Sequence, residues 1–368
     1  MKAPKRFGQF LAFALLSCVC SCAWAQQTPC SLPVNVVVPD LSSLSPQLAE
    51  EAVSVWTEET SRRTSDGFFL AGAVGLLPLW TVQRGLPADA FTARDKSHLI
   101  PIRSVTVDRG PRRILFVADN GKDTTAAARR MEAAVILHVL TEARSADSFG
   151  LLTARGPHIA LRLGSQHSLI EEAAEKLSAP AAGRARSEAV LDSLLEATRW
   201  LEPPKPGDSI ILLAMRLEGR HKVAASSVRK ALETGHVRLF GFQFGPITVA
   251  DLQEGGPFAY SISNGMGSLS TRTGGLATGE NTVVYTGPYR YKLTDETLTQ
   301  LRHAAEGVYD LIVEYYLVQP SFVDPHLTIS LSPAFEKRLP PAVLIYPRDL
   351  QPCPKPAVPG QNASTRPS

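Results

Sequence analysis

The sequence predicts a doubly wound α/β fold, a mostly parallel sheet with helices on both faces, joined to a smaller β-rich unit drawn from the two chain ends. Three observations predict it. Two runs of strand length, Ile114–Ala118 and one within Asp208–Met215, are apolar almost throughout, as strands covered on both faces must be. Around them, strand-like runs alternate with helical segments of about 10 to 18 residues, the pattern of parallel strands joined by crossover helices. Short extended segments flank that region on both sides.

Taken in order, residues 1–25 carry basic Lys2, Lys5 and Arg6, an apolar run Phe10–Val19, and Ala23 and Ala25 around Trp24. These are the three parts of a secretory signal, so cleavage after Ala25 and an exported chain, periplasmic or secreted, are expected. The alternative is a lipoprotein box at Leu15–Cys18, with Cys18 as the lipid-bearing first residue. The apolar run is too short for a retained membrane span, and no later stretch is long enough. Loss of the signal turns 38 Lys and Arg against 35 Asp and Glu into 35 against 35. A neutral chain has no electrostatic claim on nucleic acid or an anionic membrane, so neither is expected as a partner. Arg129-Arg130 and Arg184–Arg186 read as solvated surface. Of the 5 cysteines only Cys30 and Cys353 lie beyond the signal. An oxidising compartment favours a disulfide between them, two free thiols being the alternative.

Residues 26–110 read as a mixed, β-rich segment. It holds a strand at Val34–Val38, a helix at Leu44–Thr60, a buried apolar stretch at Phe68–Val82, and extended pieces at Ala90–Ala93 and Ile100–Val107. Residues 111–318 form the α/β domain. Strand Ile114–Ala118 leads through Asp119–Thr125 into helix Ala127–Arg144, with Met131, Ala134, Val135 and His138 on one side. Strands Ser148–Thr153 and His158–Leu163, helices Ser168–Leu177 and Ser187–Leu201, strand Asp208–Met215, helix Ala224–Thr234 and strand Val237–Phe244 follow. A Gly-rich segment Gly255–Gly279, helix Asp295–Gly307 and strand Tyr309–Val318 complete it. Residues 319–346 add C-terminal strands at His326–Leu331 and Ala342–Tyr346. The Pro-rich tail 347–368 holds too little apolar matter to order itself.

With its elements in this order, Arg112–Val318 resembles a von Willebrand factor A domain, in particular the bacterial exported VWFA-related domain proteins. The cues are strand Ile114–Ala118 running into an Asp-led loop, the long helix followed by Phe149–Leu152, strand Ser209–Leu213, and Thr271–Gly279 with its Thr-Gly-Gly core. Leu86–Phe91 is similar to that group's leader segment, and Tyr309–Leu331 to its closing strands. The resemblance implies a divalent-cation site at the carboxyl edge of the sheet, built from an Asp-x-Ser-x-Ser loop, a Thr of a second loop and an Asp after the strand that corresponds to Ser209–Leu213. Here Asp119 keeps the leading position, Gly121 replaces the first Ser and Asp123 the second. Ser187 falls near the Thr, and Met215 stands where the family has Asp. A thioether is a poor ligand for a hard ion, and Arg216 sets a positive charge beside it. The expectation is therefore a degenerate site with no cofactor, Asp119 and Asp123 serving to cap the following helix. Mg²⁺ held by Asp119, Asp123 and Ser187 is the alternative.

Other chemistry has little support. The 8 histidines show no His-x-x-x-His spacing, and no Cys-x-x-Cys occurs. There is no Gly-x-Ser-x-Gly elbow and no phosphate-binding Gly-rich loop. Paired carboxylates such as Glu171-Glu172 fit a solvated helix face. The reading that follows is a non-enzymatic exported protein-binding module, probing an unknown protein partner through loops near Asp119–Thr125, Arg216–Lys222 and Phe244–Thr248. A cation-dependent adhesion domain and an exported hydrolase are the alternatives.

Overall fold

The computed structural model describes residues 33–40, 81–121, 124–155, 158–178, 190–214, 223–248, 268–284, 295–321, 323, 326–338 and 344–347. The signal segment, Cys30, Cys353, the helix expected at Leu44–Thr60 and the Pro-rich tail beyond Pro347 lie outside these residues.

Strands β1 (Val34–Val36), β2 (Pro39–Asp40), β3 (Thr81–Val82), β4 (Phe91–Asp95), β5 (His98–Ile100) and β6 (Ile102–Asp108) precede the α/β region. The extended run expected at Ile100–Val107 is divided, because Pro101 offers no amide to a ladder. Then come β7 (Arg113–Asp119), α1 (Ala126–Glu142), β8 (Ser148–Arg155), β9 (Ala160–Leu161), α2 (His167–Ser178) and α3 (Val190–Trp200). After them follow β10 (Ser209–Ala214), α4 (Ala225–Thr234), β11 (Arg238–Thr248), α5 (Ser268–Arg272), β12 (Ala277–Val284) and α6 (Asp295–Val313). The chain closes with β13 (Tyr315–Pro320), β14 (Leu327–Leu331) and a short α7 (Pro333–Glu336).

The central sheet has the order β12-β11-β10-β7-β8-β9. Its first five strands run parallel and β9 closes one edge antiparallel. The two apolar runs are neighbours in register: Phe116 lies opposite Ile211 and Val117 opposite Leu212. Alternate residues serve opposite faces, as the two-residue period requires. Ile114, Phe116, Ala118, Ile211 and Leu213 pack with α1, α2 and α6. Leu115, Val117, Ile210, Leu212 and Ala214 pack with α3 and α4 on the other face. Every residue of β10 is buried, so its continuous apolar run reflects a strand with no solvent side. Truncating one of these side chains, as in Phe116→Ala, costs about 3 to 5 kcal/mol. At Gly150 in β8 a Cβ would meet Leu115 Cδ2 at 2.6 Å and Leu161 O at 2.8 Å, so glycine lets β9 fold close over the sheet.

The β-rich unit takes β1, β6 and β13 into one antiparallel sheet and β4, β5 and β14 into another. Val37 also bridges to Ile345, so the two chain ends meet. Val34, Val36, Phe91, Ala93, Tyr316, Val318, Ile329, Leu331 and Tyr346 form the core between the sheets.

The segment expected as strand Tyr309–Val318 is divided between two elements: Tyr309–Val313 are the last turns of α6, and β13 starts at Tyr315. The helix wins there because Leu301, Ala305, Val308, Tyr309 and Ile312 recur at helical spacing and bury one stripe against the sheet and α1. Two buried arginines then cap the helix end. Arg112 Nε donates to Ile312 O at 3.0 Å and its Nη2 to Val313 O, while Arg238 donates to Leu311 O at 2.9 Å and Ile312 O at 2.7 Å. Both guanidinium groups lie against the Tyr315 ring, 4.4 and 4.5 Å from its centroid. The Tyr315 hydroxyl in turn donates to Asp108 of β6 at 2.7 Å. This polar joint ties the amino edge of the parallel sheet to the β-rich unit. Burial lowers Arg238 to about 10 and raises Tyr315 to about 12.

Candidate functional site

In an open α/β sheet, a crevice forms at the carboxyl ends of the two strands from which the chain departs in opposite directions. Here those strands are β7 and β10. From β7 the chain passes through α1 to β8 on one side, and from β10 through α4 to β11 on the other. Helix α1 packs on one face and α4 on the opposite face. The strands end side by side, with Ala118 opposite Leu213, so Asp119, Asn120 and Gly121 stand at that crevice.

The loop after β7 is built from its own short polar side chains. Asp119 is 0% exposed, and its Oδ1 accepts from the Gly121 amide at 3.2 Å. Thr124 Oγ1 donates to Asp119 O at 2.9 Å, and the Thr124 amide to Gly121 O at 3.0 Å. The chain then enters α1 with Thr125 as N-cap, whose side chain accepts from the Ala128 amide at 3.1 Å. This corrects the expected cap at Asp119. The Asp119 carboxylate sits well before Ala126, where α1 begins, and organises the turn, while Thr125 is at the position from which an oxygen reaches the third helical amide.

Arg129 is a second correction. Expected on a solvated surface, it is only 7% exposed and folds back so that Nη1 donates to Thr124 O at 2.6 Å, bracing the loop from the first turn of α1. Its neighbour Arg130 is exposed, as expected. Glu132, three residues on, is fully buried. The signal for both was their spacing: Arg129 and Glu132 share helical phase with Ile136, in the same buried stripe as Ala128 and Val135. Asn120 Oδ1 and Arg129 Nε are buried with no hydrogen-bond partner among the described residues. Buried polar atoms are ordinarily satisfied, so this rim holds donor and acceptor capacity that the loop itself does not use.

Of the four positions singled out for cation chemistry, only Asp119 belongs to the described residues; Asp123, Ser187 and Met215 lie outside them. Among the described residues no group of three or more His, Cys, Asp or Glu side chains stands ready to hold a metal ion. The loop Arg216–Lys222 also lies outside them. The loop expected at Phe244–Thr248 is instead the end of β11, paired with β12, and Phe242 and Phe244 stack at 6.3 Å and are buried in the sheet core rather than offered to a ligand. Among the described residues no helix is long and apolar enough to cross a membrane.

No protein family compared with the chain matches it, and no curated protein does. Among solved structures, an aerotolerance-related membrane protein from Bacteroides fragilis is 12% identical, covering 55% of this chain and 98% of that one, at a TM-score of 0.38. Proximal thread matrix protein 1 from the mussel byssus is 15% identical over 59% of this chain and 50% of that one, at 0.40. A von Willebrand factor type A structure from Catenulispora acidiphila is 10% identical over 59% of this chain and 52% of that one, at 0.35. Likeness at these values carries no argument about this chain, whose architecture rests on the strand order and register above.

Proposed function

We propose that the chain is an exported, non-enzymatic protein-binding module with a von Willebrand factor A-like domain, which recognises its partner at the carboxyl edge of the parallel sheet without a bound cation. One observation carries the reading: the sheet reverses its direction of winding between β7 and β10, and the Asp119–Thr125 loop stands at that point. Two further features support it. The Asp119 carboxylate is engaged by the Gly121 amide, and beside it Asn120 Oδ1 and Arg129 Nε are buried with no hydrogen-bond partner among the described residues. Contacts there would be ordinary hydrogen bonds framed by apolar loops. The basic, apolar and small-residue pattern of residues 1–25 supports export.

The test uses the full chain carrying a photo-crosslinking residue either at Ala126, exposed at the rim, or at Lys205, exposed at the opposite edge. Expressed in the source cell, the Ala126 position should trap a protein that the Lys205 position does not. Equal trapping at both positions, or none at Ala126, overturns the reading. Calorimetry with Mg²⁺, Mn²⁺ and Ca²⁺ should give no heat at millimolar ion. Saturable heat that disappears in Asp119→Ala would instead favour a cation-dependent adhesion domain. A hydrolase screen in which turnover is lost with Asp119→Ala would replace binding by catalysis.

A further inference from the structure

The edges of the β-rich unit are not alike. β5 and β6 follow one another in the chain with only Pro101 between them, and each is the outer strand of its own three-stranded sheet. One extended run, His98–Asp108, therefore carries an outer edge of both sheets among the described residues. Outer strands leave alternate N–H and C=O groups without a ladder partner, and proteins usually blunt them with polar side chains. β14 is blunted in this way: Leu327, Ile329 and Leu331 face the core, and the exposed residues are Thr328 and Ser330.

The β5–β6 run is different. The large apolar side chains exposed among the described residues are Leu99 at 65%, Val107 at 42% and Leu169 at 45%, and the first two lie on this run. Thr106 beside Val107 is exposed as well, so β-branched side chains meet solvent at two successive positions of β6. The charged side chains of residues 91–108 that are exposed rather than half-buried are of one sign. Arg94, Lys96 and Arg103 are exposed, and among the described residues no carboxylate pairs with them. The acidic residues of the same segment are half-buried: Asp108 pairs with Tyr315 and Arg112, and Asp95 has one buried oxygen, Oδ1.

We propose that the outer edge of β6, Ile102–Asp108, takes up an extended segment of a partner protein as an added strand, and that this segment alternates acidic with β-branched apolar residues. The free backbone groups of the edge would supply the ladder, Val107 and Leu99 the apolar contacts, and Arg103 and Lys96 the charge complement. This surface belongs to the β-rich unit and not to the crevice beyond β7 and β10, so it stands independently of the rim.

The probe is a synthetic nine-residue peptide of alternating Val and Glu, with a Val and Lys peptide as control, added to the intact chain. Residue-level amide exchange should show the outward amides of Ile102–Asp108 exchanging quickly in the protein alone and slowing with the Glu peptide only. Arg103→Glu should weaken that peptide by roughly tenfold and reverse the preference towards the Lys peptide, at an unchanged melting temperature. Should Arg103→Glu lower the melting temperature, Arg103→Gln serves in its place: it should weaken the Glu peptide without creating a preference for the Lys peptide. Three outcomes overturn the proposal: outward amides already slow in the protein alone, protection by both peptides equally, or no protection by either. Slow amides that become fast on dilution would assign the edge to a second copy of this chain, and would equally overturn it.

Discussion

The Tyr309 hydroxyl donates a 2.6 Å hydrogen bond to Asp147 Oδ2, joining the last turns of α6 to the start of β8 across 162 positions of sequence. Asp147 also accepts from Arg144 Nη2 and from the Arg112 amide, both at 2.8 Å. Burial by itself would raise this carboxyl, but the donors from Arg144, Tyr309 and Arg112 outweigh it and hold it below the ordinary 3.8. A carboxyl depressed in the folded state contributes stability that is present above its unfolded value and lost as pH falls through its folded value. Asp147→Asn should therefore cost roughly 2 to 3 kcal/mol at neutral pH. Denaturant titrations of the two proteins should converge as the pH is taken below the ordinary carboxyl value. A difference that persists undiminished to the most acid pH would show that the charge of Asp147 is not what holds α6 to β8.

The polar joint was the part of the fold least legible in the sequence. Ile114–Ala118 and Asp208–Met215 announced covered strands because their apolar character is continuous, and the structure pairs them residue for residue. Arg112 and Arg238 gave no such signal. A buried arginine is recognised by the carbonyls it caps, and those belong to residues about 200 and 74 positions away for Arg112 Nε and Arg238 Nη2. The boundary of α6 was misplaced for a related reason. Tyr309–Val318 is apolar enough for a strand or a buried helix, and what decides is that Tyr309 and Ile312 continue the stripe of Leu301, Ala305 and Val308 that packs on the sheet and α1. At the rim, the position of Asp119 at the end of the first covered strand was legible from order alone. The folding back of Arg129 onto Thr124 was not, because a charged pair such as Arg129-Arg130 on a helix reads as surface until the third dimension separates them.

Arg238 should be costlier to remove than Arg113. Its side chain is buried, it donates to two carbonyls at the end of α6, and it lies against Tyr315. Arg238→Met keeps the bulk and loses the donors, leaving Leu311 O and Ile312 O to other partners. The expected loss is about 2 to 4 kcal/mol, read from urea titration at neutral pH. Arg113→Met, at a partly exposed edge where the side chain pairs with Asp208 at 2.7 Å, should cost less. An equal or reversed ranking would mean that Arg238 merely fills space.

Gly150→Ala should destabilise although it leaves hydrogen-bonding groups untouched. Its new methyl would press on Leu115 Cδ2 and on the backbone oxygen of Leu161, and the second of these cannot rotate away. The expected cost is about 1 to 3 kcal/mol, with β9 displaced from β8. Amide exchange should report the displacement, since the Gly164 amide donates to Phe149 O at 3.1 Å and should exchange faster in the variant. A Gly150→Ala protein with native stability would indicate that β9 has room to move.

The roles of Thr125 and Asp119 can be separated by what each substitution leaves intact. Thr125 caps α1 through its side-chain oxygen, so Thr125→Ala should cost about 1 kcal/mol while Thr125→Ser, which keeps the oxygen, restores most of it. Asp119 does not cap the helix; its Oδ1 holds the Gly121 amide and its backbone oxygen takes the Thr124 hydroxyl. Asp119→Asn retains an acceptor for Gly121 while it removes the charge and turns the second carboxylate oxygen into an amide donor. If the loop is organised by hydrogen bonding, Asp119→Asn should keep both the stability of the protein and the rim crosslink at Ala126, whereas Asp119→Ala should lose the crosslink by loosening the turn. Loss of the crosslink in Asp119→Asn with stability unchanged would mean that the carboxylate charge itself is read at the rim, which is what a cation or a basic partner side chain would require.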